Sequence, residues 1–253
     1  MNQILVTKKL YVTPELKRKK KMYKFDFILS AFLVLVLVSF YIYAEYDRNK
    51  SEEVSQGILE SVDIEEDTTT AKSDILIAVL NDNDGTATRE LEQNQQRMLE
   101  ERNNQNNNQE TQTIDGYNYV VDSRIYIPSL GIQYPVFHGV TGNANETETL
   151  LKYSPCKFHG CNPNEVGNYC IVGHNYRNTK FFSKVPTMKN GDIIEITDMS
   201  GRAINYSVYD KYTVLPEDTS CTSQLTGGKK EITLITCTND SKQRVVIKAR
   251  EVK

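Results

Sequence analysis

The sequence has little glycine and proline, little histidine, and no cysteine among its first 155 residues. Only 13 of its 253 residues are glycine and 7 are proline, which excludes a collagen-like repeat. A hydrophobic content of 39% with 25% charged residues excludes both a fully disordered chain and a membrane protein with many spans. The length exceeds an average domain of about 150 residues, so it leaves room for one folded core with additional segments.

Charge is distributed unevenly along the chain, although the formal net charge is only −3. Residues 1–24 carry eight Lys or Arg side chains and a single acidic one, Glu15. Residues 45–115 carry 18 acidic and 6 basic side chains, whereas residues 116–253 carry 13 acidic and 16 basic ones. The dense basic run lies beside an apolar segment, so charge gives no reason to expect a nucleic-acid partner.

One stretch of the N-terminal region lacks charge altogether. Residues 27–44 read FILSAFLVLVLVSFYIYA, which is long enough to cross a bilayer as a helix. The stretch ends in aromatic residues, which suit an uncleaved anchor better than a signal-peptidase site. The basic run at 17–21 follows the positive-inside pattern, and a buried helix of a soluble protein is the alternative. We predict a cytoplasmic N-terminus over 1–26, a single-pass transmembrane anchor over 27–44, and an extracellular location for the rest.

The region that follows the anchor has the composition of a spacer. Residues 45–115 are acidic, and the stretch 92–112 consists largely of Asn, Gln and Glu, with too little apolar surface to offset the entropy of ordering. Residues 51–60 and 88–102 could form short helices, which we interpret as spacers or surface helices. The sequence therefore predicts a polar stalk or linker over 45–115.

Beyond residue 116 the pattern changes to short β-type segments separated by turns. Such even spacing with little helical periodicity predicts a mostly β domain over 116–253, either a barrel or a sandwich. Six segments are predicted as strands: 124–127, 168–172, 192–197, 205–214, 231–237 and 244–249.

All five cysteines lie in this β domain: Cys156, Cys161, Cys170, Cys221 and Cys237. An odd number outside the cytosol leaves at least one thiol unpaired in a monomer. Cys237 ends the apolar segment 232–237 and precedes a polar loop, a position from which a rigid strand can present a nucleophile. A cysteine at a strand end is by itself more often an ordinary structural residue.

Two further residues support a reactive Cys237. His174 also follows an apolar strand and a glycine, and a cysteine nucleophile needs a neighbouring proton acceptor or a lowered pKa. Arg244 opens the strand after Cys237, and a hairpin over 238–243 would return it beside the thiol, where it could bind a carbonyl oxygen or oxyanion. Arg250 would then lie towards the far end of that hairpin.

The remaining histidines and acidic residues suggest weaker sites. His138 and His159 are predicted to be surface loop residues. Cys156, His159, Cys161, Cys170 and His174 could supply zinc ligands, but their spacings match no strong zinc pattern. The acidic residues Glu146, Glu148, Glu217 and Asp218 lack a calcium-ligand spacing and are interpreted as solvated loop charges.

The β domain resembles the sortases, membrane-anchored cysteine transpeptidases of Gram-positive bacterial surfaces. The resemblance spans about residues 117–253 and is carried by the order of Gly173-His174, Thr233-Leu234-Ile235-Thr236-Cys237 and Arg244. Ile127-Pro128, Tyr134-Pro135-Val136, Gly139, Gly167-Asn168, Phe182 and Gly191-Asp192 also match. The resemblance implies an eight-stranded β-barrel with short helices, with His174, Cys237 and Arg244 as the catalytic set. From the ligand spacings we predict no cofactor and no metal site.

The same resemblance implies a reaction and its partners. Cys237 would cleave an LPxTG-like sorting signal of a surface protein through a thioester, and an amine of a cell-wall precursor would accept the acyl group. A non-catalytic extracellular peptide-binding module is the alternative. A papain-type protease is disfavoured, because its nucleophile precedes its histidine in the chain.

The sortase class stays open. The run from Gly173 to Asn178 is similar to class B members. The connection from Tyr212 to Glu231 is shorter than the helical insertion common in that class, and is closer to class A or class D members.

Overall fold

The computed structural model describes residues 14–62 and 111–252. These residues fall into two compact units, one that extends to Lys50 and one that begins at Ser51. The predicted helix at 88–102 lies outside the described residues, as does most of the predicted stalk.

The first unit is formed by a long helix, α1, which runs from Pro14 to Ser61 and continues into the second unit. Proline suits the first turn of a helix, because its missing N–H would have no partner there. The predicted span lies inside α1, which has an 18-residue window of mean hydropathy 2.5 with none of its residues buried. Among the described residues, α1 alone is long and apolar enough to cross a membrane, and it is the single-pass anchor candidate. The short helix predicted at 51–60 is present as the last part of α1.

The second unit is a β-barrel with few helices. The described residues of this unit form nine strands: β1 (Gln112–Ile114), β2 (Tyr117–Ile127), β3 (Ile132–Gly139), β4 (Cys156–His159), β5 (Gly167–Val172), β6 (Ile193–Asp198), β7 (Ala203–Val214), β8 (Lys230–Cys237) and β9 (Arg244–Glu251). One helix, α2 (Ala144–Leu150), lies between β3 and β4. Short 3-10 turns occupy Pro128–Leu130, Val185–Thr187 and Ser220–Thr222.

Eight of these strands close into a barrel in the order β2-β3-β4-β5-β8-β9-β7-β6, because β6 also pairs with β2. The three-residue β1 adds to the end of β2. The eight-stranded barrel expected from the sequence is therefore confirmed. All six predicted strands are present, whereas β1, β3 and β4 were not among them.

Two of these additional strands correct the interpretation of the histidines. His138 lies in β3 and His159 in β4, so the prediction that both are loop residues is wrong. Pro135 interrupts the β3 segment, and β4 has only four residues, so neither shows the long alternation that marks a strand in a sequence.

The parallel pairing of β5 with β8 is the feature that positions the site. Val172 pairs with Ile235, and the register runs in step back to Gly167 and Lys230. Parallel strands end at the same edge of a sheet, so the residues that follow Val172 lie beside the end of β8. The interior faces of both strands are buried in one apolar cluster, with Tyr169 and Ile171 from β5 and Ile232 and Leu234 from β8.

Candidate active site

Cys237 and Arg244 face each other across the hairpin of β8 and β9. They form the last antiparallel register pair before the loop, and directly opposed residues have Cβ atoms about 4.5–5.5 Å apart. The polar residues between them close the turn, with the Thr238 N–H donating to the Gln243 carbonyl at 3.0 Å. The hairpin predicted to return Arg244 beside Cys237 is therefore present. Arg250 pairs with Glu231 at the opposite end, as expected.

The alternation of side chains along β8 decides which of them faces outward. Ile232 and Leu234 point into the barrel core, so Ile235 and Cys237 lie on the other face. Cys237 is a free thiol and is partly exposed, whereas the other four cysteines are buried. The strand thus presents Cys237 alone of the cysteines at an accessible position.

His174 follows β5 and is placed beside the end of β8 by hydrogen bonds on either side of it. Gly173 donates to the Ile235 carbonyl at 3.0 Å, and the Thr236 hydroxyl donates to the Gly173 carbonyl at 2.7 Å. On the other side, the Asn175 amide donates to the Cys237 carbonyl at 2.9 Å. His174 therefore lies between two residues that are both bonded to the Thr236-Cys237 end of the strand.

Glycine is required next to His174 for a packing reason. A Cβ added at Gly173 would lie 2.5 Å from the Phe182 ring, and Phe182 is fully buried in the barrel core. Its N–H donates to the His174 carbonyl at 3.1 Å. The Gly173-His174 pair in the sequence thus reflects a close approach between this loop and the core.

The His174 imidazole is half-buried, and its ring lies 5.0 Å from the Tyr176 ring. Burial lowers the pKa of His174, while Glu148 raises it and Lys152 lowers it by smaller amounts. A pKa below 6.5 keeps the ring mostly neutral at neutral pH, so it can accept a proton from a thiol or amine.

A cavity of about 240 Å³ adjoins this arrangement on the outer face of the sheet. Arg244 lies at its edge, and its apolar wall includes Val172, Val214 and Ile235. The opposite wall comes from the loop 215–229, which contains the short 3-10 turn at Ser220–Thr222. The cavity can accept an apolar side chain of a peptide that lies next to Cys237.

A buried amide fixes that loop to the barrel. The Asn168 side chain donates to the carbonyls of Cys221 and Ser223 at 3.0 and 3.1 Å, and it accepts from the Thr233 hydroxyl at 2.7 Å. Lys248 donates to the same Cys221 carbonyl at 3.2 Å. Asn168 and Asn175 were not predicted as site residues, because an asparagine in a sequence carries no sign of the carbonyls it will meet.

The weaker sites considered from the sequence are not assembled. Among residues 14–62 and 111–252, no three His, Cys, Asp or Glu side chains form a group able to hold a metal ion.

Glu146 corrects the interpretation of the acidic residues as solvated loop charges. It lies in α2, is buried, and accepts from the Gly142 N–H at 3.0 Å and the Thr141 hydroxyl at 2.9 Å.

Comparison with known proteins places this barrel in a family. The family model for the sortase domain matches residues 125–252, which is just over half of the chain. The chain belongs to the sortase family. Sortases are cysteine transpeptidases, and the matched range of this sortase contains His174, Cys237 and Arg244.

Several solved structures of sortases are similar to this chain. A Clostridium perfringens sortase D5 transpeptidase is 26% identical, with 53% of this chain and 80% of that chain covered and a TM-score of 0.46. Sortase A from Corynebacterium diphtheriae is 28% identical, with 53% and 62% covered and a TM-score of 0.46. A C. perfringens sortase C, solved with a C-terminal cell wall sorting motif, is 19% identical, with 53% and 71% covered and a TM-score of 0.44. Among curated proteins, none matches this sortase.

Proposed function

We propose that this sortase is a membrane-anchored enzyme that cleaves an LPxTG-like sorting signal and transfers the surface protein to an amine of a cell-wall precursor. The observation that carries the proposal is the direct pairing of Cys237 with Arg244, with the His174 loop bonded to the same strand end. A thiol nucleophile, a permanent cation and the loop that carries a titratable imidazole thus lie at the same edge of the barrel.

Each of the three side chains has a role in a balanced reaction. His174 accepts the proton of the Cys237 thiol, and the thiolate forms a bond to the carbonyl carbon of the Thr-Gly peptide bond while Arg244 stabilises the negative charge that develops on the carbonyl oxygen. The C–N bond then breaks, and protonated His174 gives a proton to the leaving amine. The acceptor amine attacks the thioester, loses a proton to His174, and releases Cys237.

The cavity beside Arg244 is the proposed binding site for the apolar residues of the signal. Val172, Val214 and Ile235 form its apolar wall, which suits the Leu and Pro side chains that precede the cleaved bond. A peptide bound along this wall would bring its Thr-Gly carbonyl towards Cys237. The proposed binding site is therefore formed by residues of β5, β7 and β8 together with the loop 215–229.

The proposed location follows from α1. Its N-terminal part carries the basic run at 17–21, so under the positive-inside rule residues 1–26 would lie in the cytoplasm. Residues 27–44 would cross the membrane, 45–115 would include the stalk, and 116–253 would form the extracellular catalytic domain.

The experiment uses the full chain in lipid nanodiscs with fluorogenic peptides that vary the LPxTG motif. We expect cleavage at the Thr-Gly bond and, with added hydroxylamine, a hydroxamate product. Cys237→Ala should abolish both products. His174→Ala and Arg244→Ala should each lower kcat/KM by about 10²-fold or more, because each removes acid-base help or oxyanion stabilisation.

Lys242→Ala is the matched control for Arg244→Ala, because Lys242 is an exposed cation in the same hairpin loop. Arg250→Ala is less suitable, since Arg250 donates to the buried Glu231 carboxylate at 2.6 Å. Binding of sorting peptides without cleavage would instead identify a peptide-binding module. Cleavage that persists in Cys237→Ala would refute the proposed mechanism.

A further inference from the structure

The last part of α1 packs on the barrel instead of standing clear of it. Ser55 is fully buried, and its hydroxyl donates to Ser154 at 3.2 Å. Ile58 and Val62 pack against the apolar cluster around Phe137. Residues 51–62 are thus a structural part of the catalytic unit.

Glu52, in this segment, contacts the loop that follows His174. Its carboxylate accepts a hydrogen bond from the Tyr134 hydroxyl at 2.8 Å and forms an ion pair with Lys180. The Tyr134 oxygen in turn accepts from the Phe181 N–H at 3.1 Å. Both partners of Glu52 are mostly buried, with Tyr134 4% and the Lys180 side chain 16% exposed. If the Glu52 carboxylate is removed, water therefore has poor access to the Tyr134 hydroxyl and the Lys180 ammonium group that it leaves behind.

A continuous series of ring contacts leads from these partners to His174. The Tyr134 ring stacks on Phe181 at 5.1 Å, Phe181 meets the edge of Tyr176 at 5.7 Å, and Tyr176 lies 5.0 Å from the His174 ring. Aromatic pairs at these distances are favourable beyond the area that they bury. The position of the imidazole therefore depends on rings that Glu52 and Tyr134 support.

The backbone of the loop 174–184 needs such support. Arg177 and Phe181 both have positive φ, 59° and 48°, a conformation that costs free energy in residues other than glycine. Such a backbone persists only where surrounding contacts stabilise it, and the bonds at Lys180 and Phe181 are of that kind.

We propose that Glu52 is a positioning residue for the transpeptidation: through Tyr134 and Lys180 it holds the loop 174–184 so that His174 lies beside Cys237. The expected loss of activity rests on the proposed function, whereas the expected loosening of the loop 174–184 does not. Ser55 bonds to Ser154, and Ile58 and Val62 pack against the Phe137 cluster, so attachment of the helix and positioning of the loop can be tested by separate mutations.

The test compares the full chain in nanodiscs with Glu52→Ala, Glu52→Gln and the matched control Glu53→Ala, since Glu53 is exposed on the same helix. In Glu52→Ala we expect faster hydrogen exchange in peptides from 174–184, with peptides from β8 unchanged. We expect kcat for an LPxTG-type peptide to fall about 10-fold or more with little change in KM, because the imidazole is misplaced. Glu52→Gln still accepts from Tyr134 and should recover part of the loss.

A spectroscopic readout of His174 is independent of any substrate. With only three histidines in the chain, ¹³C-labelled imidazoles can be assigned by substituting His138 and His159. Burial holds the pKa of His174 below 6.5, and Glu148 and Lys152 are the charged groups that act on it. A loosened loop exposes the ring, so its titration midpoint should rise in Glu52→Ala and stay unchanged in Glu53→Ala.

The outcomes separate this inference from the proposed function. If exchange and the His174 midpoint change in Glu52→Ala while no peptide is cleaved by the wild type, the positioning contact stands and the proposed substrate class fails. If Glu52→Ala and Lys180→Met both match Glu53→Ala in exchange, His174 titration and kcat, the inference is overturned. Uniformly faster hydrogen exchange across the whole barrel in Glu52→Ala and Lys180→Met also overturns the inference, because Glu52 would then contribute to general stability and not to the position of the loop.

Discussion

At the scale of single residues, Cys237 differs from the other four cysteines in its exposure to solvent. Burial raises the pKa of the Cys156 and Cys221 thiols and raises that of Cys170 to about 12. Cys221 lies in the wall of the cavity beside Arg244 but is only 5% exposed. Cys237 is the partly exposed thiol at the strand end. Exposure therefore favours reaction at Cys237, whereas burial and a raised pKa disfavour reaction at Cys156, Cys170 and Cys221.

This difference predicts the order of alkylation. When the native full chain is treated with limiting iodoacetamide, peptide mapping should show that Cys237 is modified first, because its thiol is accessible without unfolding. Cys156, Cys161, Cys170 and Cys221 should react only after denaturation, which serves as the internal control. Preferential labelling of Cys221 would contradict the ranking.

Local patterns explain which site residues the sequence could predict. Cys237 and Arg244 are joined by a six-residue loop, so hairpin geometry alone brings them together. His174 was found from the apolar strand and glycine that precede it, but its neighbour Asn175 was not, since its partner is a backbone carbonyl 62 residues away. Glu146 was predicted to be a solvated charge, but in the folded chain it is buried. Its carboxylate accepts hydrogen bonds from backbone N–H groups of the turn after β3, and the sequence pattern does not reveal these bonds.

At the scale of elements, the loop 215–229 forms one wall of the cavity beside Arg244. Asn168 is fully buried and bonds this loop to β5 and β8 through its side chain. Gln224 adds a reciprocal pair with the Asn168 backbone, accepting from its N–H and donating to its carbonyl, both at 3.0 Å. The loop is therefore ordered by contacts within the barrel, before any peptide binds.

Asn168→Ala should release the loop. The substitution leaves the carbonyls of Cys221 and Ser223 without this donor, so we expect a loss of about 1–3 kcal/mol in unfolding free energy. Hydrogen exchange should accelerate at 219–226, and KM should rise for a cleaved peptide. Asn205→Ala, at an exposed position of β7, is the control and should change none of these. Equal behaviour of the two variants would show that Asn168 does not order the loop.

The elements also show where sequence patterns are insufficient. The six predicted strands alternate clearly or form apolar runs, and all of them are present. β4 meets β3 through one register pair, Phe137 with Cys156, and is completed by pairing with β5. A strand that depends on neighbours from distant parts of the chain leaves little trace in its own four residues. The packing of residues 51–62 on the barrel is equally a tertiary feature.

At the scale of the whole molecule, two half-buried histidines couple stability to pH. Burial lowers the pKa of both His138 and His174. At His138, Asp122 and Glu146 raise the pKa and Lys157 lowers it, all less than burial does. The unfolded chain binds protons near the ordinary pKa of 6.5, so below that pH it holds more protons than the folded chain.

The barrel should therefore be most stable above pH 6.5 and lose stability as the pH falls towards the lowered pKa values. Thermal unfolding of the full chain in detergent, followed by near-UV circular dichroism, should give a lower Tm at pH 5.5 than at pH 7.5. His138→Asn should reduce this difference, whereas His159→Asn should not, because His159 is exposed on β4. A Tm that rises on acidification would contradict the sign of the coupling.

The central claim is that Cys237 carries the acyl group between the sorting signal and the amine. Its most direct test is mass spectrometry of the full chain incubated with an LPxTG-type peptide and quenched in acid. We predict an adduct with the mass of the peptide up to its Thr residue, located on the fragment that contains Cys237. Hydroxylamine should remove it as a hydroxamate, and Cys237→Ala should not form it. Cleavage of the peptide with no adduct at Cys237, or with an adduct at another residue, would contradict the account.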